Sequence, residues 1–155
     1  MTRLAPALAA LFLAAPAAAD QIGPQVESWQ AGAVCPASFT GNGSPAFVAR
    51  TQTVPAVVGM GFGVRAQVNV PGGIPNVTIV VDHPPFAGGT RQTFPASLSG
   101  QGMSGFYYQF ETQAEAAPGT WTVTAMLGSQ VIYSLQFDVV APRQGDGLLQ
   151  ACGVL

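Results

Sequence analysis

The sequence predicts an all-β chain, an immunoglobulin-like antiparallel β-sandwich of about seven strands behind a cleaved N-terminal signal helix. Three observations carry this. Segments of strand length alternate apolar and polar residues with period two. The chain holds 19 glycines and 13 prolines, enough turn formers to separate many short strands. Beyond the first 19 residues no segment keeps a long 3.6-residue apolar period, so helices cannot supply the core.

Residues 1–19 begin with a single cation, Arg3, continue as an Ala/Leu/Phe-rich run and end in Ala17-Ala18-Ala19 ahead of Asp20. A basic start, an apolar stretch and small residues at the −3 and −1 positions describe a secretory signal peptide. The run is too short and too rich in alanine for a transmembrane helix. The mature chain is expected to start at Asp20, with no membrane span and no cysteine placed to take a lipid. Localisation is expected to be periplasmic or extracellular. The expected organisation is a signal peptide over 1–19, one β-sandwich domain over 20–143 and a tail over 144–155.

About 136 mature residues suffice for one domain with a real core. The mature cations are Arg50, Arg65, Arg91 and Arg143; seven acids oppose these four, leaving a net charge of −3 with His83 neutral. Four scattered arginines and no lysine do not make a phosphate-tracking surface, so nucleic acid is excluded as a partner. Cys35 and Cys152 lie near the two ends of the mature chain. In an exported protein an even count reads as a disulfide, which would tie the tail to the end of the first strand. A metal or catalytic thiol pair lacks the partners it would need.

The elements follow in chain order. Residues 26–34 (VESWQAGAV) predict the first strand, with Trp29 as a core anchor. Residues 36–45 form a turn-rich loop, and 47–54 a weaker strand broken by Pro55. Residues 57–70 alternate Val58, Met60, Phe62, Val64, Ala66, Val68 and Val70 against Gly59, Gly61, Gly63, Arg65, Gln67 and Asn69. The three glycines make a bare stripe on the outer face, the mark of a close backbone, a covering aromatic ring or a bend. After the Pro71-Gly72-Gly73 turn, 76–82 predict a strand stopped by Pro84-Pro85. Residues 90–98 predict an edge strand because of Pro95, and 105–113 a strand alternating Phe106, Tyr108 and Phe110 against Tyr107, Gln109 and Glu111.

Residues 118–140 predict the hairpin that closes the sandwich. Trp121, Val123, Ala125 and Leu127 share one face of the first arm; Val131, Tyr133, Leu135, Phe137 and Val139 share one face of the second. Apolar faces coincide only if Trp121 pairs with Phe137, Val123 with Leu135 and Ala125 with Tyr133. That register needs an odd connection, Gly128-Ser129-Gln130, or a bulge that adds one residue. The odd-length connection is expected. The Cys…Trp…Cys spacing of antibody domains is missing, so the immunoglobulin likeness is architectural.

No motif for catalysis emerges. His83 is the only histidine, Asp82 beside it would point to the opposite face of a strand, and no nucleophile elbow surrounds Ser97, Ser99 or Ser104. His83 reads as a turn residue. Glu111 and Glu115 read as solvated rim charges rather than a glycosidase pair. Met60, Met103, Met126 and His83 are the ligand types of a copper carrier but are dispersed, and Met60 falls on an apolar face. The Gly59-Met-Gly-Phe-Gly63 run lacks nucleotide-loop spacing. Tyr107 on the polar side of its strand, with Phe86 near a loop and the Gly59, Gly61 and Gly63 stripe, forms the candidate binding face.

At VPAVVGMGFGV (54–64), DHPP (82–85), YQF (108–110) and PGTWT (118–122) the chain resembles a bacterial domain-of-unknown-function (DUF) family of short exported proteins. In that family a P-G-x-W strand comes before a final F-x-V strand. The resemblance covers most of residues 26–140 and implies a small exported β domain with no established activity. The expected function is that of a binding or accessory module of the bacterial envelope, without enzyme activity or cofactor and with an unknown protein or envelope ligand as partner. The alternatives are a weak copper-binding periplasmic protein and a structural envelope component.

Overall fold

Two antiparallel sheets face each other across a core that Trp121 occupies at its centre. The computed structural model of the chain describes residues 19–41 and 45–154. The expected signal segment lies outside these residues except for Ala19. The strands are β1 (Gln21–Ile22), β2 (Val26–Val34), β3 (Thr53–Pro55), β4 (Gly61–Val68), β5 (Ile74–Phe86), β6 (Gly89–Leu98), β7 (Ser104–Gln109), β8 (Gly119–Leu127) and β9 (Gln130–Val140), followed by a short helix α1 (Gly147–Cys152). The larger sheet runs β1-β9-β8-β5-β6, and the smaller β2-β4-β7. Seven strands of six or more residues form the sandwich, as expected; β1 and β3 are two short additions along the outer edge of β9. β3 runs parallel to β9. Asp20 and Gln52 clamp the two additions: the Gln52 amide donates to Asp20 Oδ2 at 2.9 Å and to the Gln136 carbonyl at 2.7 Å, and Asp20 Oδ1 accepts from the Gln136 N–H at 2.9 Å.

The closing hairpin has the register that its apolar faces demand, Trp121 with Phe137, Val123 with Leu135 and Ala125 with Tyr133. The odd residue sits elsewhere than expected. The tip is the two-residue Gly128-Ser129, with Leu127 opposite Gln130, and the extra residue is a bulge at Ile132. Gly128 at φ +59° supplies the positive φ such a tip needs. The bulge lets Ile132 turn into the core beside Tyr133 and leaves Val131 at the surface.

Other boundaries also move. Of the expected strand over 47–54 only Thr53 and Val54 belong to β3; Ala49 makes a single bridge to Ala33. Residues 57–60 form a turn ahead of β4, with Gly59 at φ +91° and Val58 exposed. The strand expected over 105–113 ends sooner, at Gln109. β5 does not stop at Pro84-Pro85 but runs on to Phe86. Between the pairs Asp82–Arg91 and Phe86–Gly89, β5 has three residues against one in β6, and its pairing with β8 ends at Asp82. The prolines therefore occupy a stretch where no ladder N–H is required. His83, read as a turn residue, is instead buried on this strand, stacked on Phe86 with ring centroids 4.1 Å apart.

The two tryptophans differ sharply. Trp121 is fully buried, donates from Nε1 to the Ala117 carbonyl at 3.0 Å, and meets Phe62, Tyr108 and Phe110 within 5.6 Å. Trp29, expected as a core anchor, is 37% exposed. It pairs with Ala66 and so has inward parity, but β2 is an edge strand and the opposite sheet does not cover that end.

Burial pushes the Tyr133 phenol well above its ordinary range. A phenol raised in the folded state contributes stability that is fully present below the unfolded-state value of about 10 and is lost as pH climbs through the folded one. Urea midpoints should therefore fall steeply above about pH 10, and Tyr133→Phe should flatten that fall. An unchanged alkaline slope in the variant would assign the loss to other groups.

Candidate functional site

The tail is fastened first. Cys35, at the end of β2, and Cys152, in α1, form the expected disulfide, with Cα atoms 5.9 Å apart. Asp146 caps α1 by accepting from the Leu148 N–H at 2.9 Å, Gly153 ends it at φ +63°, and Leu149 is buried against the core.

The outer face of the smaller sheet carries the glycines in a row across strands rather than along one. Gly32 pairs with Gly63, and Gly63 with Tyr107. A Cβ on Gly32 would meet the Phe47 ring, and one on Gly63 or Gly105 would meet the Tyr107 ring, each at 2.5 Å. Phe39 and Phe47 stand against Tyr107 with centroids 6.0 and 6.1 Å away, and its hydroxyl donates to the Pro45 carbonyl at 3.3 Å. The trough is thus filled by the chain's own aromatic side chains. Gly61 abuts the β7 backbone at Tyr108, and Gly59 lies in the turn. Phe86 is elsewhere, in the His83–Trp121 stack of the larger sheet. The structure therefore joins Tyr107 to Gly63 but not to Phe86 or Gly59.

The copper-type ligands are also kept apart. Met126 sits opposite Thr78, four residues along β5 from Asp82, on the outer face; at about 3.3 Å per residue that is about 13 Å from the His83 end. Met103 adjoins Ser104, at the Leu98 end of the sandwich, and Met60 is fully buried. Asp82 turns outward into a bidentate pair with Arg91, at 2.6 and 3.1 Å, away from His83.

An open groove of about 300 Å³ lies along one side of the sandwich, where β6 and β7, each an edge strand, come together. One bank is Gln92 and Phe94 of β6. The other is Phe106, Tyr107, Tyr108 and Gln109 of β7, and Glu111 and Glu115 close one end. Inward parity explains the floor: Gln92 and Phe94 pair with Val81 and Ile79, while Phe106 and Tyr108 pair with Val64 and Phe62. Phe94 reaches Phe106 at 5.3 Å, and the Gln92 amide donates to the Tyr108 hydroxyl at 3.2 Å.

The groove is acidic in character. Burial raises the Tyr108 phenol above its ordinary value; the Gln92 hydrogen bond opposes this and the carboxylates of Glu115 and Glu111 add to it. Tyr107 is raised by burial, with Arg65 pulling the other way. Glu115 is committed to its own turn, accepting from the N–H groups of Glu111 at 2.6 Å and Thr112 at 3.3 Å. No cation lines the groove among the described residues. The arrangement offers aromatic surface, amides and negative charge. It suits binding of a neutral or cationic ligand rather than an anion.

Sequence reasoning singled out Tyr107 on this groove and noted Phe106, but missed Gln92 and Phe94. Their period-two inward parity was legible. That β6 and β7 adjoin depends on strand order, which no local pattern carries.

Residues 22–139 match the model of a family described as "Domain of unknown function (DUF3859)". Among solved structures, the chain is similar to an immunoglobulin-like protein from Pseudomonas aeruginosa, with a TM-score of 0.56 and 22% identity over 81% of this chain and 100% of that chain. At that identity the likeness establishes the fold alone. No curated protein matches the chain.

Proposed function

We propose that this chain, which belongs to the DUF3859 family, is an exported, non-catalytic binding module of the bacterial envelope that seats its ligand in the groove between β6 and β7. The observation that carries this reading is the groove itself, a cleft between two strand edges with Phe94, Phe106 and Tyr108 presented beside amides and carboxylates. Export is supported by the disulfide, which persists in oxidising compartments, and by the signal-like residues 1–19. A non-catalytic role is supported by the separation of Asp82 from His83 across the sheet.

The test is cross-linked affinity purification of the mature protein from its native envelope fraction. Phe94→Ser should lose a partner that Thr93→Arg, on the opposite face of the same strand, keeps. Circular dichroism checks that both variants fold, and Glu111→Arg offers a second groove variant at an exposed position. A partner retained by both groove variants would place the binding surface elsewhere.

A further inference from the structure

The structure has four sheet edges, and three of them are blocked. The outer edge of β9 is covered by β1 and β3. β6 carries Arg91 and Pro95, and β2 carries Glu27, a register shift between Val26 and Ser28, and a bridge from Ala49. Charges, prolines, bulges and covering segments are the devices that keep strand edges from pairing. β7, with the sequence SGFYYQ, has none of them. Its far edge has no ladder partner among the described residues.

The hydrogen-bond phase of that edge can be worked out. Phe110 N–H donates to the Met60 carbonyl at 2.8 Å, and Gly61 is the residue opposite Gln109. Gly61 and Gln109 are therefore a non-hydrogen-bonded pair, and alternation along an antiparallel ladder makes Phe106 and Tyr108 the residues that bond to β4. The N–H and C=O groups of Gly105, Tyr107 and Gln109 then point away from β4, along the groove. The lining agrees: the groove touches the consecutive residues Phe106, Tyr107, Tyr108 and Gln109, as a channel along a strand's edge must.

We infer that the groove takes an extended, basic peptide segment of a partner protein, which adds as a fourth strand to the smaller sheet alongside β7. Main-chain hydrogen bonds to Gly105, Tyr107 and Gln109 supply register, and Phe94 and Phe106 receive every second side chain of the incoming strand. Charge fixes the class of peptide. Among the described residues the charged side chains that line the groove are Glu111 and Glu115, so a Lys or Arg at the end of the segment is complementary to it. This inference rests on the groove being the binding site and adds the chemistry of its occupant.

The test is an NMR titration of the disulfide-bonded mature protein with the capped peptide Lys-Val-Thr-Val-Lys, its acidic counterpart Glu-Val-Thr-Val-Glu, and two versions of the first that are N-methylated at alternate residues in opposite phase. The basic peptide should saturate, shift the amides of Gly105, Tyr107 and Gln109, and slow their hydrogen exchange. One N-methylated phase, which blocks the donors facing β7, should bind about tenfold more weakly, while the other phase binds nearly as well as the parent. The acidic peptide should not saturate, and Glu111→Gln should weaken the basic one by about threefold. The inference is overturned by no saturable binding, by equal loss in both phases, or by amide shifts that follow protein concentration alone, which would mean that β7 pairs with a second copy. If the groove variants still lose an envelope partner while the peptides fail, the groove reading stands and strand addition falls.

Discussion

Replacing both Cys35 and Cys152 with alanine is expected to lower the unfolding free energy of the mature protein by about 4–5 kcal/mol. The bond spans 117 residues, and in the chain-entropy model a loop of that length restricts the unfolded chain by about that much. A domain of this size has about 5–15 kcal/mol in total, so the variant should be close to its threshold at physiological temperature. A second, local effect should accompany the first. Without the bond, the tail is held by the packing of Leu148, Leu149 and Val154 against the core, and amides of 147–154 should exchange well before the core opens. Urea unfolding followed by tryptophan fluorescence measures the global loss, and hydrogen exchange the local one. A loss below about 1 kcal/mol would mean that the unfolded chain is already compact enough to make the constraint redundant.

Trp121→Ala should cost about 3–5 kcal/mol, whereas Trp29→Ala should stay within about 1 kcal/mol. The first removes the ring on which Phe62, Tyr108, Phe110, His83 and Phe86 converge, and orphans the Ala117 carbonyl. Little could collapse into the space, because its neighbours are rings held by their own strands. The second removes a side chain already more than a third exposed on an edge strand. Midpoints of urea unfolding at constant slope would measure both. Equal losses would overturn the assignment of the core's centre.

The contrast between the two tryptophans shows how far the sequence could be read. Both sit on alternating segments, and parity along a strand is local, so it was legible for Trp29 and Trp121 alike. Whether an inward residue is covered depends on which strand is at an edge, and that is set by pairing between distant segments. The same limit applies to the glycines. A stripe of Gly59, Gly61 and Gly63 is visible along the chain, but the row that matters physically is Gly32, Gly63 and the ring of Tyr107, assembled across three strands. The closing hairpin was read more closely because its two arms are adjacent, so apolar matching fixed the register. Only the bulge at Ile132 escaped, since a bulge and a longer loop satisfy the same matching. Pro84-Pro85 misled because proline forbids a ladder donor, not an extended backbone.

Strand order governs when this protein can fold. The centre of the larger sheet is built from β8 and β9, which lie late in the chain, and among the described residues β1 and β3 have no ladder partner except β9. A chain released as far as residue 118 has β5 with one flank bare, no Trp121 to fill the core, and its earliest strand without a partner. Such long-range pairing makes for slow folding, on the order of milliseconds to seconds. The nascent protein therefore stays open until almost all of it has emerged, which is the state in which a polypeptide can be threaded through a narrow channel.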